Sequence, residues 1–204
     1  GDKKPKTPSY KQVNDTYGRF VYGVPPRGYA DLAFAQHMLA SLKADGRMGI
    51  ILPHGVLFRS GEEGKIREGL LFGTGTAQGQ QPGDLIEAIV GLPSALFYNT
   101  GIPACVLVLN KRKPANLQGK VIIIDASRDY AEGKAQNSLR PEDIAKIVAT
   151  HQAAFERQTE VAHYCRVVTL DEIRGNDGNL NIARYIDNGE TEDTVDMAKT
   201  LKLL

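Results

Sequence analysis

An α/β architecture around a mixed sheet is expected from three features of this 204-residue chain. Ala104 to Leu109 is an unbroken apolar run rich in β-formers, the pattern of a strand buried on both faces. Asp84 to Val90 reads as a second strand, with Pro82 and Gly83 ahead of it and Gly91 and Pro93 behind. The link between the two is short, so they are expected to pair antiparallel; a parallel pair needs a longer crossover. The third feature is a helical pattern from Asp31 followed closely by an apolar strand, Arg47 to Leu52, the αβ unit from which doubly wound sheets are built.

Taken in order, residues 1–24 have no clear period and read as an extended arm; Lys3, Lys4, Lys6 and Lys11 are available to phosphate, but a solvated, partly disordered terminus is the favoured reading. Pro25-Pro26-Arg27-Gly28 is a turn. Asp31 is expected to cap a helix with the stripe Leu32, Phe34, Ala35, Met38, Leu39 and Leu42, ended by Gly46. His37 lies inside it with no acid or thiol at a relay or ligand spacing. Pro53-His54-Gly55 stands where the next strand ends, the edge at which such sheets bind ligands, so His54 is the better site candidate. Ser60 and Glu63 have capping-box spacing for a helix to about Leu71, although Gly64 and Gly69 weaken it.

Phe72 to Gly79 is glycine-rich, but a nucleotide loop should follow a buried strand and open a helix. This stretch follows a helix and leads into a strand, so it reads as a flexible connection. Beyond the central strands, Lys111-Arg112-Lys113-Pro114 is a basic turn and Lys120 to Ala126 another strand. Arg128 to Arg140 is polar and irregular. Pro141, Glu142 and Asp143 open a helix whose stripe is Ile144, Ile147, Val148, His151 and Phe155. Cys165 to Val168 is a short strand, Thr169 caps a helical turn through Arg174, and residues 187–204 are an acidic, weakly helical tail.

The chemistry concentrates in the link before Ala104, which holds Phe97, Tyr98, Asn99 and Thr100 between Pro93 and Pro103. Two aromatics, an amide and a hydroxyl on a proline-braced loop suit a flat, polar-edged ligand such as a base. The competing reading is that Phe97 and Tyr98 cap the core beneath the loop. Net charge is +1, so no basic field covers the molecule and any DNA contact must be local. Two cysteines, Cys105 and Cys165, make neither a disulfide framework nor a metal site, which fits a reducing cytoplasm. No apolar run approaches a membrane span. With Gly1 first in a Lys- and Pro-rich stretch, the chain reads as a piece of something longer.

Several runs carry a resemblance. They include Tyr17-Gly-Arg-Phe, Gly46-Arg-Met-Gly-Ile-Ile-Leu-Pro-His-Gly-Val-Leu-Phe-Arg, Glu63-Gly-Lys-Ile-Arg and Ile86-Glu-Ala-Ile-Val-Gly-Leu-Pro. With them go Leu96-Phe-Tyr-Asn-Thr-Gly-Ile-Pro-Ala-Cys-Val-Leu-Val-Leu-Asn-Lys, Ile123-Ile-Asp-Ala-Ser-Arg and Asn179-Leu-Asn-Ile-Ala-Arg-Tyr-Ile-Asp. Over about residues 17–187 the chain resembles the modification subunit of type I restriction–modification systems, N6-adenine DNA methyltransferases that use S-adenosylmethionine. The resemblance implies the C-terminal half of a Rossmann-like (class I) methyltransferase fold, with an antiparallel hairpin in a mixed sheet and a mostly helical extension. It divides the chain into an arm (1–30), the half-domain (31–126) and the extension (127–204).

In that family the cofactor glycine motif and an Asn-Pro-Pro-aromatic tetrapeptide lie upstream, and neither occurs here. Val24-Pro25-Pro26-Arg27 has Val in place of the amide and Arg in place of the aromatic. No catalytic or cofactor-binding residue is therefore expected in this chain, and no cofactor is expected to bind it alone. What the resemblance assigns it is the base-stacking loop, with Phe97 first and Tyr98 in reserve. Asn99, Thr100, His54 and Arg27 are candidate contacts to base or DNA. Implied partners are duplex DNA, the specificity and restriction subunits, and the absent N-terminal half of the domain. The second reading is a non-catalytic DNA-contact or subunit-assembly module; an oxidoreductase resting on Gly73 to Gly79 is remote.

Overall fold

A computed structural model describes residues 15–76 and 79–187. The elements run α1 (Asp31–Ser41), β1 (Arg47–Pro53), a 3-10 turn (His54–Leu57), α2 (Glu62–Phe72), β2 (Thr74–Thr76), β3 (Gly79–Gln81), β4 (Ile86–Gly91) and β5 (Ala104–Asn110). They continue with β6 (Lys120–Asp125), α3 (Pro141–Arg157), β7 (Cys165–Thr169), α4 (Leu170–Gly175) and a last 3-10 turn (Ile182–Arg184). Five strands form one sheet in the order β1-β5-β4-β6-β7. β5 is antiparallel to both β1 and β4, as the short link requires, β4 and β6 are parallel, and β7 is antiparallel to β6.

Each face of the sheet carries its own core, which explains the unbroken apolar strands. Val121 and Ile123 of β6 face one layer, Ile122 and Ile124 the other, and all four are sealed from solvent. The first layer is covered by α1, α2 and α4, through Leu32, Leu39, Ile66, Leu70 and Ile173. The second is covered by α3, through Ala154, Ile147 and Phe155. β5 departs from the expected double burial. Cys105, Leu107 and Leu109 are buried in the first layer, whereas Val106 and Val108 are only half-buried because α3 does not reach across to them. Together with Leu92, Ile144, Val148 and the β1 residue Ile51 they line an apolar groove of about 550 Å³.

Several local expectations change in the folded chain. Asp31 is the first helical residue and Ala30 the cap, with no capping side chain, and α1 ends at Ser41 rather than Gly46. Its buried side is narrower than the expected stripe: Phe34 is exposed, and Gln36 is inside, accepting from Tyr22 N–H and donating to the Gly23 carbonyl. That pair ties the arm to α1. At α2 the Ser60–Glu63 box does not form; Gly61 is the cap, at φ +72°, and Glu63 turns inward against Arg59. In the basic turn Arg112 is exposed, but the next cation is not. Lys113 is buried, donating to the carbonyls of Ile86 and Lys120 and paired with Asp84. The glycine-rich connection is a two-stranded ribbon, β2 with β3. Thr169 does cap α4, accepting from Glu172 N–H at 3.2 Å, and Pro141 opens α3.

The described part of the expected extension, 127–187, holds α3, β7 and α4, all packed on the sheet. Lys3, Lys4, Lys6, Lys11 and the tail beyond residue 187 lie outside the described residues.

Candidate functional site

β1, β4 and β6 run in one direction, so Pro53, Gly91 and Asp125 end at the same edge of the sheet. The segment from Leu92 to Pro103 crosses that edge without regular structure. Its start is set by close packing. Gly91 lies where a Cβ would stand 2.6 Å from the Ile182 side chain, so only glycine lets the last turn close under the loop. Leu92 N–H donates to the Ala104 carbonyl at 2.8 Å, drawing the two ends of the loop together. His54 joins the same point, its Nε2 2.9 Å from the Ala104 oxygen. The sequence candidate His54 is thus a tether at the base of the loop.

Within the loop, Ala95 and Asn99 both take left-handed backbone, at φ +51° and +59°. Alanine gains nothing there to offset the crowding of its Cβ, so the surroundings must impose that conformation. Three hydrogen bonds from the segment read as polar and irregular do so. Asn137 N–H donates to the Ala95 carbonyl at 2.8 Å, Asn137 Nδ2 to that of Ser94 at 2.9 Å, and Gln136 Nε2 to that of Leu96 at 2.6 Å. Nothing in the sequence pattern pointed to Gln136 or Asn137, because bonds to main-chain carbonyls leave no period.

Between the two left-handed residues, Phe97 is 38% exposed and Tyr98 84%. Phe97 stands between two apolar hollows. One is the groove beneath α3; the other, of about 250 Å³, is walled by Ile51, Pro53, Thr100, Ile102 and Pro103. Thr100 Oγ1 accepts from Ile102 N–H at 3.1 Å and so shapes the wall. The structure therefore brings Phe97 and Thr100 to one cavity with His54 behind it, whereas Tyr98 and Asn99 stand out in solvent. Arg27 is exposed in the turn before Tyr29. The Tyr29 ring lies 4.2 Å from the Arg59 guanidinium, which in turn abuts Gly55. Arg27 itself stands two residues before Tyr29, in the turn that precedes α1.

No charged side chain lines the smaller cavity among the described residues. A surface of this kind holds a flat apolar face and leaves polar edges to other groups; it offers neither acid, base nor nucleophile. Glu87 lies away from it, beside Arg47 and His151 at the rim of the larger groove. It is fully buried, paired with Arg47 and bonded to Asn110 Nδ2 at 2.7 Å and His151 Nε2 at 3.2 Å. Burial pushes its carboxyl up, but these donors outweigh burial and hold it below the usual carboxylate range.

Among the described residues no cluster of three or more His, Cys, Asp or Glu is arranged to hold a metal. A nucleotide cofactor does not fit the glycine-rich ribbon. Gly73 turns at φ +78° with its Cβ position 2.8 Å from the Gln81 carbonyl and 3.1 Å from Gly83 N, so ribbon backbone fills the space a cradle would need.

The family model described as N-6 DNA methylase matches residues 6–194. The MjaVIII methylase subunit of a type I restriction enzyme from Methanocaldococcus jannaschii is 38% identical over 197 residues, 95% of this chain and 31% of that protein. The HindI methylase subunit of Haemophilus influenzae is 35% identical over 179 residues, 86% of this chain and 38% of its own length. A solved type I restriction–modification system methyltransferase subunit from Streptococcus thermophilus superposes on 80% of this chain and 31% of its own, with a TM-score of 0.68 and 38% identity. The chain spans about a third of the length of these relatives. Its mixed, Rossmann-like sheet matches theirs, and with the family model covering nearly all of it, the chain belongs to the N-6 DNA methylase family.

Proposed function

We propose that this chain is the base-stacking half of a type I restriction–modification methyltransferase domain, whose parent transfers a methyl group from S-adenosylmethionine to adenine N6 in duplex DNA. The observation that carries the reading is Phe97, half-exposed on a loop fixed at the sheet edge with an apolar cavity beside it. An adenine inside a duplex is out of reach, so it must be flipped before its amino group can react. A flipped base needs a surface for each ring face. Phe97 supplies one by stacking, worth roughly 1–3 kcal/mol per base, with Tyr98 as the reserve. Asn99 and Thr100, further along the loop, would meet base edges or phosphate, and Arg27 the DNA backbone. His54 acts on the DNA through the loop it tethers.

The cofactor, and the groups that hold the adenine amino hydrogens, belong to the N-terminal half of the domain, which this chain requires as a partner. Residues 31–126 are the C-terminal half-domain. The extension from 127 joins the specificity subunit, and the assembled complex recruits the restriction subunit in the cytoplasm. The alternative, a DNA-contact or assembly module without catalysis, would leave Phe97 without a task.

Phe97→Ala in the assembled enzyme decides between them. Losing one stacking face is expected to lower methyl transfer to duplex DNA roughly five- to hundredfold, with little change in melting temperature. Unchanged turnover would hand the role to Tyr98 or leave Phe97 as packing between the two hollows.

A further inference from the structure

Residues 131–138 form a closed polar loop. Ala131 and Ser138 exchange both main-chain hydrogen bonds, at 2.8 and 3.0 Å, which fixes its neck. Gly133 turns where a Cβ would stand 2.1 Å from the Gln136 carbonyl, so no other residue fits the tip. Gly133 N–H reaches Asn137 Oδ1 at 3.4 Å; with the amide oxygen occupied there, the amide nitrogen faces Ser94. The neck is anchored on both sides. Before it, Ala126 N–H donates to the Gly91 carbonyl, and Asp129 pairs with Lys146 of α3 at 2.8 Å. After it, Arg140 N–H donates to Asp143 Oδ2 at 2.8 Å as α3 begins. The polar loop is thus held between the end of β6 and the start of α3.

From that rigid base it donates to three successive carbonyls, those of Ser94, Ala95 and Leu96, immediately before Phe97. The middle carbonyl belongs to Ala95, the residue held at φ +51°. Strained backbone of this kind persists only where neighbours over-determine it.

We propose that Gln136 and Asn137 are positioning residues for the Phe97 loop: they hold the strained Ser94–Leu96 backbone so that the Phe97 ring stands ready to stack on an extruded base. The functional part rests on the base-stacking reading above; the clamp itself does not. Stacking is sensitive to ring placement, and a displacement of about 1 Å in a bound geometry is enough to cost about a hundredfold in rate. Neither side chain needs to touch the base. Without the two side-chain bonds the Asn137 N–H alone would be left to hold Ala95, and Phe97 would shift toward one of the hollows at its sides.

Two measurements test this. The first uses the chain as it is, labelled with 4-fluorophenylalanine, with the Phe97 resonance among the six assigned by Phe97→Leu. The double variant Gln136→Ala/Asn137→Ala, which removes the two side-chain bonds and keeps that from Asn137 N–H, is expected to shift or broaden that resonance and leave the other five in place. Gln136→Lys, which keeps a donor of similar reach, is expected to restore much of the wild-type signal on the Asn137 background. A Phe97 resonance unmoved in the double variant overturns the positioning role of the two side chains.

The second uses the assembled enzyme on duplex DNA carrying 2-aminopurine at the target adenine. The double variant is expected to lower the fluorescence of the flipped state and to reduce kcat/KM for DNA about tenfold or more. Cofactor affinity should stay unchanged. A moved resonance with wild-type kcat/KM, in an enzyme that Phe97→Ala cripples, overturns the positioning role. A moved resonance in an enzyme indifferent to Phe97→Ala upholds the clamp and removes Phe97 from the stacking role instead.

Discussion

At the scale of single residues, the two thiols show how burial sets chemistry. Cys105 on β5 and Cys165 on β7 are both fully buried and unpaired with each other. Burial pushes the Cys105 thiol up to about 12 and the Cys165 thiol up to about 11, the latter with help from the Glu160 charge. The reactive thiolate is therefore scarce at neutral pH. Native protein treated with iodoacetamide at pH 8 should show neither cysteine alkylated by mass spectrometry, whereas denaturant should expose both. Rapid labelling of Cys105 in native protein would mean that β5 is open to solvent. Cys105 could be placed in a buried strand from its apolar neighbours alone. The buried partners Gln36, Glu87, Lys113 and Asp143 could not, because polar residues that find a partner inside look the same in a sequence as polar residues facing water.

The helix α3 and its attachment illustrate the next scale. Arg47 from β1, Asn110 from β5 and His151 from α3 converge on Glu87 of β4, and the His151 ring stacks on Phe155, centroids 5.9 Å apart. One carboxylate thus ties three strands and a helix across the sheet. Its folded pKa is depressed, so its contribution is fully present above the ordinary carboxylate range near 4.3 and is lost as pH falls through the lower folded value. Urea unfolding from pH 7 to 3 should show wild-type stability dropping in the acid range, and Glu87→Gln should flatten that drop. At pH 7, Glu87→Ala should cost about 3 kcal/mol, the low end for a broken buried pair, because Arg47 is half-exposed and can turn to water. A wild-type and Glu87→Gln pair with parallel acid profiles would remove Glu87 from this role.

Element by element, β5 and β6 were legible as uninterrupted apolar runs, and α3 from its proline and acids at the start. The caps of α1 and α2 were not. Asp31 and Ser60 have the right chemistry and spacing, but the chain enters each helix through a turn that places them off the cap. The aromatic loop was legible as composition, and its conformation was not, since that depends on Gln136 and Asn137 some forty residues on.

For the molecule as a whole, β1 matters most. It is bonded to β5 alone, so its outer edge is unpaired among the described residues, and Ile51 beside it is 53% exposed over the apolar groove. An open edge next to an apolar face is a template for another strand. The chain taken alone should self-associate with rising concentration in sedimentation velocity runs, and Ile51→Lys should reduce that. A monomer at every concentration would show that the edge is shielded.

The same strand has a consequence for how the chain comes to its final form. β1 is made early and its only partner late: α2, the ribbon, β4 and the aromatic loop all separate Arg47 from Asn110, its match in register. Closing so long an interval is slow and gains nothing until β5 is in place. β5, by contrast, needs only the shorter closure onto β4 to begin pairing. Contact separation therefore predicts that β4 and β5 pair first, although β1 is synthesised before either. β1 is expected to dock after them, carrying His54 to Ala104 and so drawing the ends of the loop around Phe97 together.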